Sequence, residues 1–222
     1  MNDLGKAFTF PFKDPNWLSK LLVGALFLIL SIFVVGIFII AGYFVQTIQR
    51  VMRREENALP EWTDIGVMLV VGFKFCVVYL LYVVPILLIM TPVFAISILS
   101  ALTADDSLNL FAGTVTMLSL VVVIPYAIAF TIILPIVATQ FAVRESMADA
   151  LDIATVFRLF KRNWQNTVIV ALITLGVQSL AAAGVIVFVV GVLVTIFYSR
   201  LVTAHLYGTL YLDITREELR GE

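Results

Sequence analysis

Chemistry at a membrane needs a nucleophile with its base, a metal-ligand cluster, paired carboxylates or a phosphate cradle, and this chain has few residues able to supply them. His205 is its one histidine, so neither a two-histidine metal site nor an HExxH arrangement can be assembled. A lone imidazole on an apolar stretch is either a polar packing residue or a single axial ligand to a haem or chlorophyll-type pigment. The packing role is expected here. Cys76 is the one cysteine and stands inside an apolar block, where it forms no intrachain disulfide or redox pair and reads as a small buried hydrophobe. No GxSxG, Walker loop or GxGxxG occurs, so the motifs of acyl transfer, nucleotide binding and dinucleotide binding are missing. No Asp or Glu falls deep within an apolar block; Asp64 and Asp213 come nearest. Proton relays and carboxylate dyads in membranes normally need such a group. No catalytic residue, metal or cofactor is therefore expected.

Lys74 is the one charge set well into an apolar stretch. An intramembrane cation is by default a site candidate. Here enough apolar chain follows it, Phe75–Leu99, to cross a bilayer, so Lys74 is expected to snorkel to the interface.

The elements that carry these residues follow from composition. With 62% hydrophobic residues and 13% charged, the chain lies far from a soluble domain, where charge approaches a quarter of residues. Uncharged blocks run over Leu21–Gln49, Phe75–Ala104, Ser107–Val143 and Asn163–Ser199, each longer than the ~20 residues that span a hydrocarbon core. Without β-barrel alternation, helices are the only way to satisfy the backbone there. The apolar stretch after Lys20 is too long for a signal-peptide core and is expected to stay as an anchor. A net charge of −1 argues against nucleic acid as a partner.

Charge decides the threading. The stretch Thr103–Asn109 holds Asp105 and Asp106 and none of the 14 Lys and Arg. One crossing per block would put Arg50, Arg53, Arg54, Arg144, Arg158, Lys161 and Arg162 opposite Lys6, Lys13 and Lys20, against the cytoplasmic bias of basic loops. If the first and last blocks each double back, every basic residue falls at the cytoplasmic face. The expected architecture is an all-α, polytopic membrane helical bundle forming one integral domain over residues 1–222. It has about six membrane helices in three regions: a hairpin, two long Pro-kinked helices and a second hairpin. Both termini are cytoplasmic, and the location is the inner (plasma) membrane of a bacterium or archaeon. The first hairpin, Trp17–Gln49, is short for two full crossings. It either turns near Val34–Gly36, with an interfacial continuation over Gln46–Glu56, or is re-entrant. The last, Asn163–Leu212, should turn near Ala181–Gly184 or at Gly191. Pro85 and Pro92, then Pro125 and Pro135, should kink the middle helices.

Between the last two regions, Ala150, Ile153, Phe157, Phe160 and Trp164 recur at helical spacing over Glu145–Arg162 and just beyond. This predicts one interfacial amphipathic helix anchored by Trp164, whose Arg158, Lys161 and Arg162 attract anionic lipid. Trp17 and Trp62 are expected as further interfacial anchors. With Lys74 they complete the candidate surface for a partner or lipid.

The segment Ala7-Phe8-Thr9-Phe10-Pro11-Phe12-Lys13-Asp14-Pro15-Asn16-Trp17, followed by Lys20 and Gly24, resembles a prokaryotic membrane family known only as domain of unknown function 4013. So do Gly42-Tyr43, Leu59-Pro60-Glu61-Trp62-Thr63-Asp64 and Ala204-His205-Leu206-Tyr207-Gly208. The resemblance spans essentially the whole chain. It implies a multi-helix membrane protein and no assigned activity. The first turn in that family often contains Pro or Asn; Ser31–Gly36 has neither.

Taken together, these features lead us to expect a non-enzymatic accessory or scaffolding subunit of a larger membrane complex. Its partners would be the bilayer, other membrane subunits or a second copy of itself. The rivals are a small transporter or channel with a path between the Pro-kinked helices, and a lipid- or pigment-binding protein.

Overall fold

The computed structural model describes residues 4–55, 59–103, 105–183 and 189–220, and among them only helices and turns occur. In chain order the α-helices are α1 (Leu4–Thr9), α2 (Trp17–Leu30), α3 (Val35–Met52), α4 (Ile65–Thr103), α5 (Asp106–Arg144), α6 (Met147–Leu151), α7 (Ile153–Arg162), α8 (Trp164–Ala183) and α9 (Val189–Arg220). Single 3-10 turns at Phe10–Lys13 and Ser31–Phe33 flank α2.

Among the described residues, three helices are long and apolar enough to cross a membrane: α3, α4 and α5. A fourth crossing is added if the bent pair Gly5–Lys13 and Trp17–Phe33 counts as one span. The 14 residues of α2 rise about 21 Å, short of a ~30 Å hydrocarbon core. Helix α4 runs unbroken through Pro85 and Pro92, and α5 through Pro125 and Pro135. Each proline still removes one backbone bond from its helix.

The chain divides into two compact units, one of residues 1–78 and 133–222, the other Tyr79–Ile132. In the first, α9 packs against α1, α2, α3 and α8, and α2 packs back on α3. The buried cluster at its centre contains Phe10, Leu21, Ile40, Tyr43, Leu59, Met68, Phe197 and Leu201. Helices α3 and α4 meet backbone to backbone. A Cβ on Gly42 would fall 1.9 Å from the Met68 carbonyl oxygen, and one on Gly72 would fall 1.8 Å from that of Phe38. In the second unit the two helix segments are joined by the Tyr126 hydroxyl, which donates to the Tyr82 carbonyl at 2.7 Å, and by Phe130 stacked on Tyr82.

Between α2 and α3 the chain passes through Val34, within the expected Val34–Gly36 stretch, with φ at +65°. A β-branched residue there is strained, commonly by 1–3 kcal/mol. Val34 is also 54% exposed, so little packing offsets the strain. Val34→Gly is expected to raise stability by about 1 kcal/mol after the added chain entropy of glycine. A thermal melt that falls rather than rises would overturn this reading of the turn.

Two expectations change. The amphipathic segment is two helices, not one. Asp152 leaves helical geometry (φ −72°, ψ 86°) and caps α7 by accepting from the Thr155 N–H at 3.1 Å. Its packed face also differs from the expected stripe: Val156 and Leu159 are buried, while Ile153 and Phe157 are exposed. Gly191 lies inside α9, so it does not break the last region. Of the alternative expected turn, Ala181–Ala183 belong to the end of α8; Gly184 lies outside the described residues, as does Glu56 at the end of the expected continuation of α3.

Candidate functional site

The sequence segments quoted above converge on one lysine. Lys20 stands in the first turn of α2, whose buried face is Lys20, Leu21, Gly24 and Ala25. The spacing i, i+1, i+4, i+5 is one side of a helix, so the lysine is carried inward with its apolar neighbours. Its side chain is 4% exposed, as is that of Asp14. Nζ donates to Asp14 Oδ2 at 2.7 Å, pairs with Glu61, and donates to the Leu59 carbonyl at 3.2 Å. An ammonium has three N–H bonds, and all three are engaged. A buried charge is tolerated only when paired and hydrogen-bonded in this way.

The partners are held in turn. Asp14 Oδ1 accepts from the Asn16 N–H at 2.8 Å. The Leu59 carbonyl takes a second bond, from Arg50 Nη1 at 3.2 Å, and the Tyr43 hydroxyl donates to the Pro60 carbonyl at 3.1 Å. Trp62 Nε1 donates to the Lys20 carbonyl at 3.2 Å, and its ring stacks on Tyr43 at 4.1 Å. Phe27 and Phe197 complete the aromatic wall. Thus the loop Leu59–Trp62 is stitched to α2 and α3 by side chains and carbonyls together. With every donor of Lys20 occupied, the arrangement acts as an electrostatic latch between α2 and the Leu59–Trp62 loop.

The late segment packs beside it. His205 faces Phe10, ring centroids 4.6 Å apart, and its buried Nδ1 has no hydrogen-bond partner among the described residues. Tyr207 stands edge-on to Phe44 at 5.8 Å. Gly208 lets α9 approach α3, since a Cβ there would meet Val51 at 2.6 Å.

The other candidate residues are dispersed. Trp17 meets Phe12 edge-on at 4.9 Å. Trp62 turns inward to the latch. Lys74 is half-buried on α4, and Trp164 is 53% exposed at the start of α8. Arg158, Lys161 and Arg162 are exposed on α7. Among the described residues no group of three His, Cys, Asp or Glu is placed to hold a metal. Asp14, Lys20, Tyr43 and Glu61 were not singled out as a site from sequence. The available signal was the face count along α2, which places Lys20 with Leu21 and Gly24.

Two acids outside the membrane-spanning segments have carboxyls held below the usual range. In Asp152 the cause is first the Thr155 hydroxyl, at 2.6 Å, and then the Thr155 N–H; in Asp105 it is first the Ser107 hydroxyl and then the backbone N–H groups of Leu108 and Ser107. Each caps the start of a helix.

The model of a family described as a protein of unknown function (DUF4013) matches residues 25–201. That span includes Gly42-Tyr43 and Leu59–Trp62. It begins after Lys20 and ends before Ala204, so Asp14 and Lys20 of the latch, and the late segment beside it, lie outside the match. Neither a curated protein nor a solved structure matches the chain.

Proposed function

We propose a role for this chain from one premise, that it belongs to the family of proteins of unknown function DUF4013: it is a multi-pass membrane protein serving as a non-enzymatic accessory or scaffolding subunit. Its membrane segments are three hairpins, α2–α3, α4–α5 and α8–α9, with both termini cytoplasmic in a prokaryotic inner membrane. The mutual packing of α2 with α3 and of α8 with α9 supports doubling back. The latch supports a rigid body at the end where the basic residues gather.

What carries the subunit reading is the second unit, Tyr79–Ile132. Its two helix segments are held together near Pro85 and Pro125 by the Tyr126–Tyr82 hydrogen bond and the Tyr82–Phe130 stack, direct contacts that disfavour a transport path between them at that level. What this unit offers is its outer surface, where Leu88, Leu110 and Met117 are more than 70% exposed and Gly113 has open space around its Cβ position. Small and apolar outward residues suit close docking of another membrane helix.

A photo-crosslinking residue placed singly at Leu88, Leu110 and Met117 in native membranes is expected to give discrete protein adducts. A differently tagged second copy distinguishes self-association from another subunit. Adducts to lipid alone at all three positions would remove the subunit reading. Topology is checked separately in a Cys76→Ser background. A cysteine at Asp106 is expected to label from outside the cell and one at Lys161 from inside; labelling of both from one side contradicts the threading.

A further inference from the structure

In the first unit, a cleft of about 350 Å³ opens among the end of α5, the pair α6–α7 and the end of α9. That volume is at the small end of ligand pockets, which run about 300–1,000 Å³. Its lining includes the apolar Val143, Leu159 and Ile214 and the charged Arg144, Arg158, Asp149 and Asp152. Two guanidinium groups and two carboxylates make a lining of no net charge. A simple anion would meet the two acids and a simple cation the two arginines. The complement is a molecule bearing both signs.

The four charges fall into two groups. Arg144 and Asp149 stand 3.8 Å apart, beyond hydrogen-bond reach, with side chains 76% and 37% exposed. The pair is loose enough for a ligand to take up each member. On α7, Thr155 binds both neighbours: its hydroxyl donates to Asp152 at 2.6 Å and accepts from Arg158 Nη2 at 3.2 Å. That holds an anion and a cation at fixed spacing on one side of the helix. The Thr155 hydroxyl and N–H also hold the Asp152 carboxyl below the usual carboxylate range. At 100° per residue Ile153 and Phe157, both exposed and apolar, lie on the side of α7 away from Thr155 and Arg158. If that apolar side rests in the acyl boundary, the cleft stands on the water side of the helix, level with or above the headgroups.

We propose that this cleft binds a phosphate–ammonium zwitterion of the phosphoethanolamine type. Its phosphate bridges Arg144 and Arg158, and its primary ammonium donates to Asp149 and Asp152. A phosphate suits two guanidiniums better than a carboxylate does, because its non-bridging oxygens, two in a phosphodiester and three in a monoester, are set tetrahedrally and can face two forks from different directions. The same group is available as an aminophospholipid headgroup or free in water. The proposal stands independently of the subunit reading.

The test uses the full chain purified in mild detergent and stripped of lipid. It is titrated with short-chain phosphatidylethanolamine, phosphatidylcholine and phosphatidylglycerol of one acyl length, and with free phosphoethanolamine. Phosphatidylethanolamine is expected to bind about tenfold tighter than the choline lipid, whose ammonium has no N–H to donate, and than the glycerol lipid, which has no cation. Competition by free phosphoethanolamine identifies a soluble ligand; its failure to compete identifies the lipid. Arg144→Gln, at a side chain 76% exposed and so harmless to folding, should weaken binding about tenfold. Asp149→Asn should erase the preference for the ethanolamine over the glycerol lipid. Equal binding of all three lipids, no binding of the lipids or of free phosphoethanolamine, or unchanged affinity in Arg144→Gln would overturn the proposal.

Discussion

Lys20→Met is expected to destabilise the folded chain by about 3–5 kcal/mol, the usual cost of leaving one partner of a buried ion pair behind. Methionine fills nearly the same length without charge, so the loss is electrostatic rather than steric. Asp14, 4% exposed, would keep the Asn16 N–H and lose its cation. Glu61 is 57% exposed and can be hydrated, so Glu61→Gln should cost under about 1 kcal/mol. The double change Asp14→Asn with Lys20→Met removes both buried charges and should recover part of the loss, giving a coupling of about 1–3 kcal/mol. The half-buried Cys76, the only thiol, supplies the readout through reaction with a thiol-sensitive dye during heating. At about 2–4 °C per kcal/mol for a chain of this size, Lys20→Met should lower the midpoint by roughly 10 °C. A midpoint within about 2 °C of the parent would mean that Lys20 is solvated and that no latch exists.

That latch marks the limit of what local pattern reveals. The all-α class, the turn on Val34 and the break between Thr103 and Asp106 follow from apolar block lengths, charge and the absence of strand alternation, all of which are local. The pairing of Lys20 with Glu61 spans some 40 residues and leaves no periodic trace. In a charge count Lys20 is merely one more basic residue near a membrane face, and Trp62 one more aromatic anchor. Only the packing of α2 on α3 and α9 turns both inward. The split between α6 and α7 is local but was hidden by helical spacing that carries on across it. Asp152 has the chemistry of an N-cap, and its acceptance from Thr155 ends one helix and starts the next. Periodicity measures a face and is insensitive to one residue leaving helical φ/ψ.

Gly72→Ala should destabilise the fold by about 3 kcal/mol or more, whereas Gly176→Ala should leave it unchanged or raise stability by up to about 1 kcal/mol. Alanine is the better helix former by roughly that amount, so intrinsic propensity favours both substitutions. Space decides between them. Around Gly176 nothing lies within 4 Å of the added methyl. At Gly72 it would fall 1.8 Å from the Phe38 carbonyl oxygen and 2.5 Å from the Gly42 nitrogen. Those are backbone atoms of α3, and no rotamer change can move them aside. The helices must separate by more than an ångström, opening the Phe38–Phe73 edge contact at 5.3 Å and the Phe44–Phe75 contact at 6.0 Å. Overpacking usually costs 1–3 kcal/mol when side chains can yield; a rigid backbone obstacle places Gly72 at or beyond the top of that range. Gly42→Ala meets the reciprocal obstacle at the Met68 carbonyl and should behave alike. The pair should also be strongly non-additive, because the first substitution has already parted the helices that the second would push. Equal melting midpoints for Gly72→Ala and Gly176→Ala would show that α3 and α4 do not touch at Gly42 and Gly72. The expected opposite signs would establish that crossing without reference to any ligand or partner.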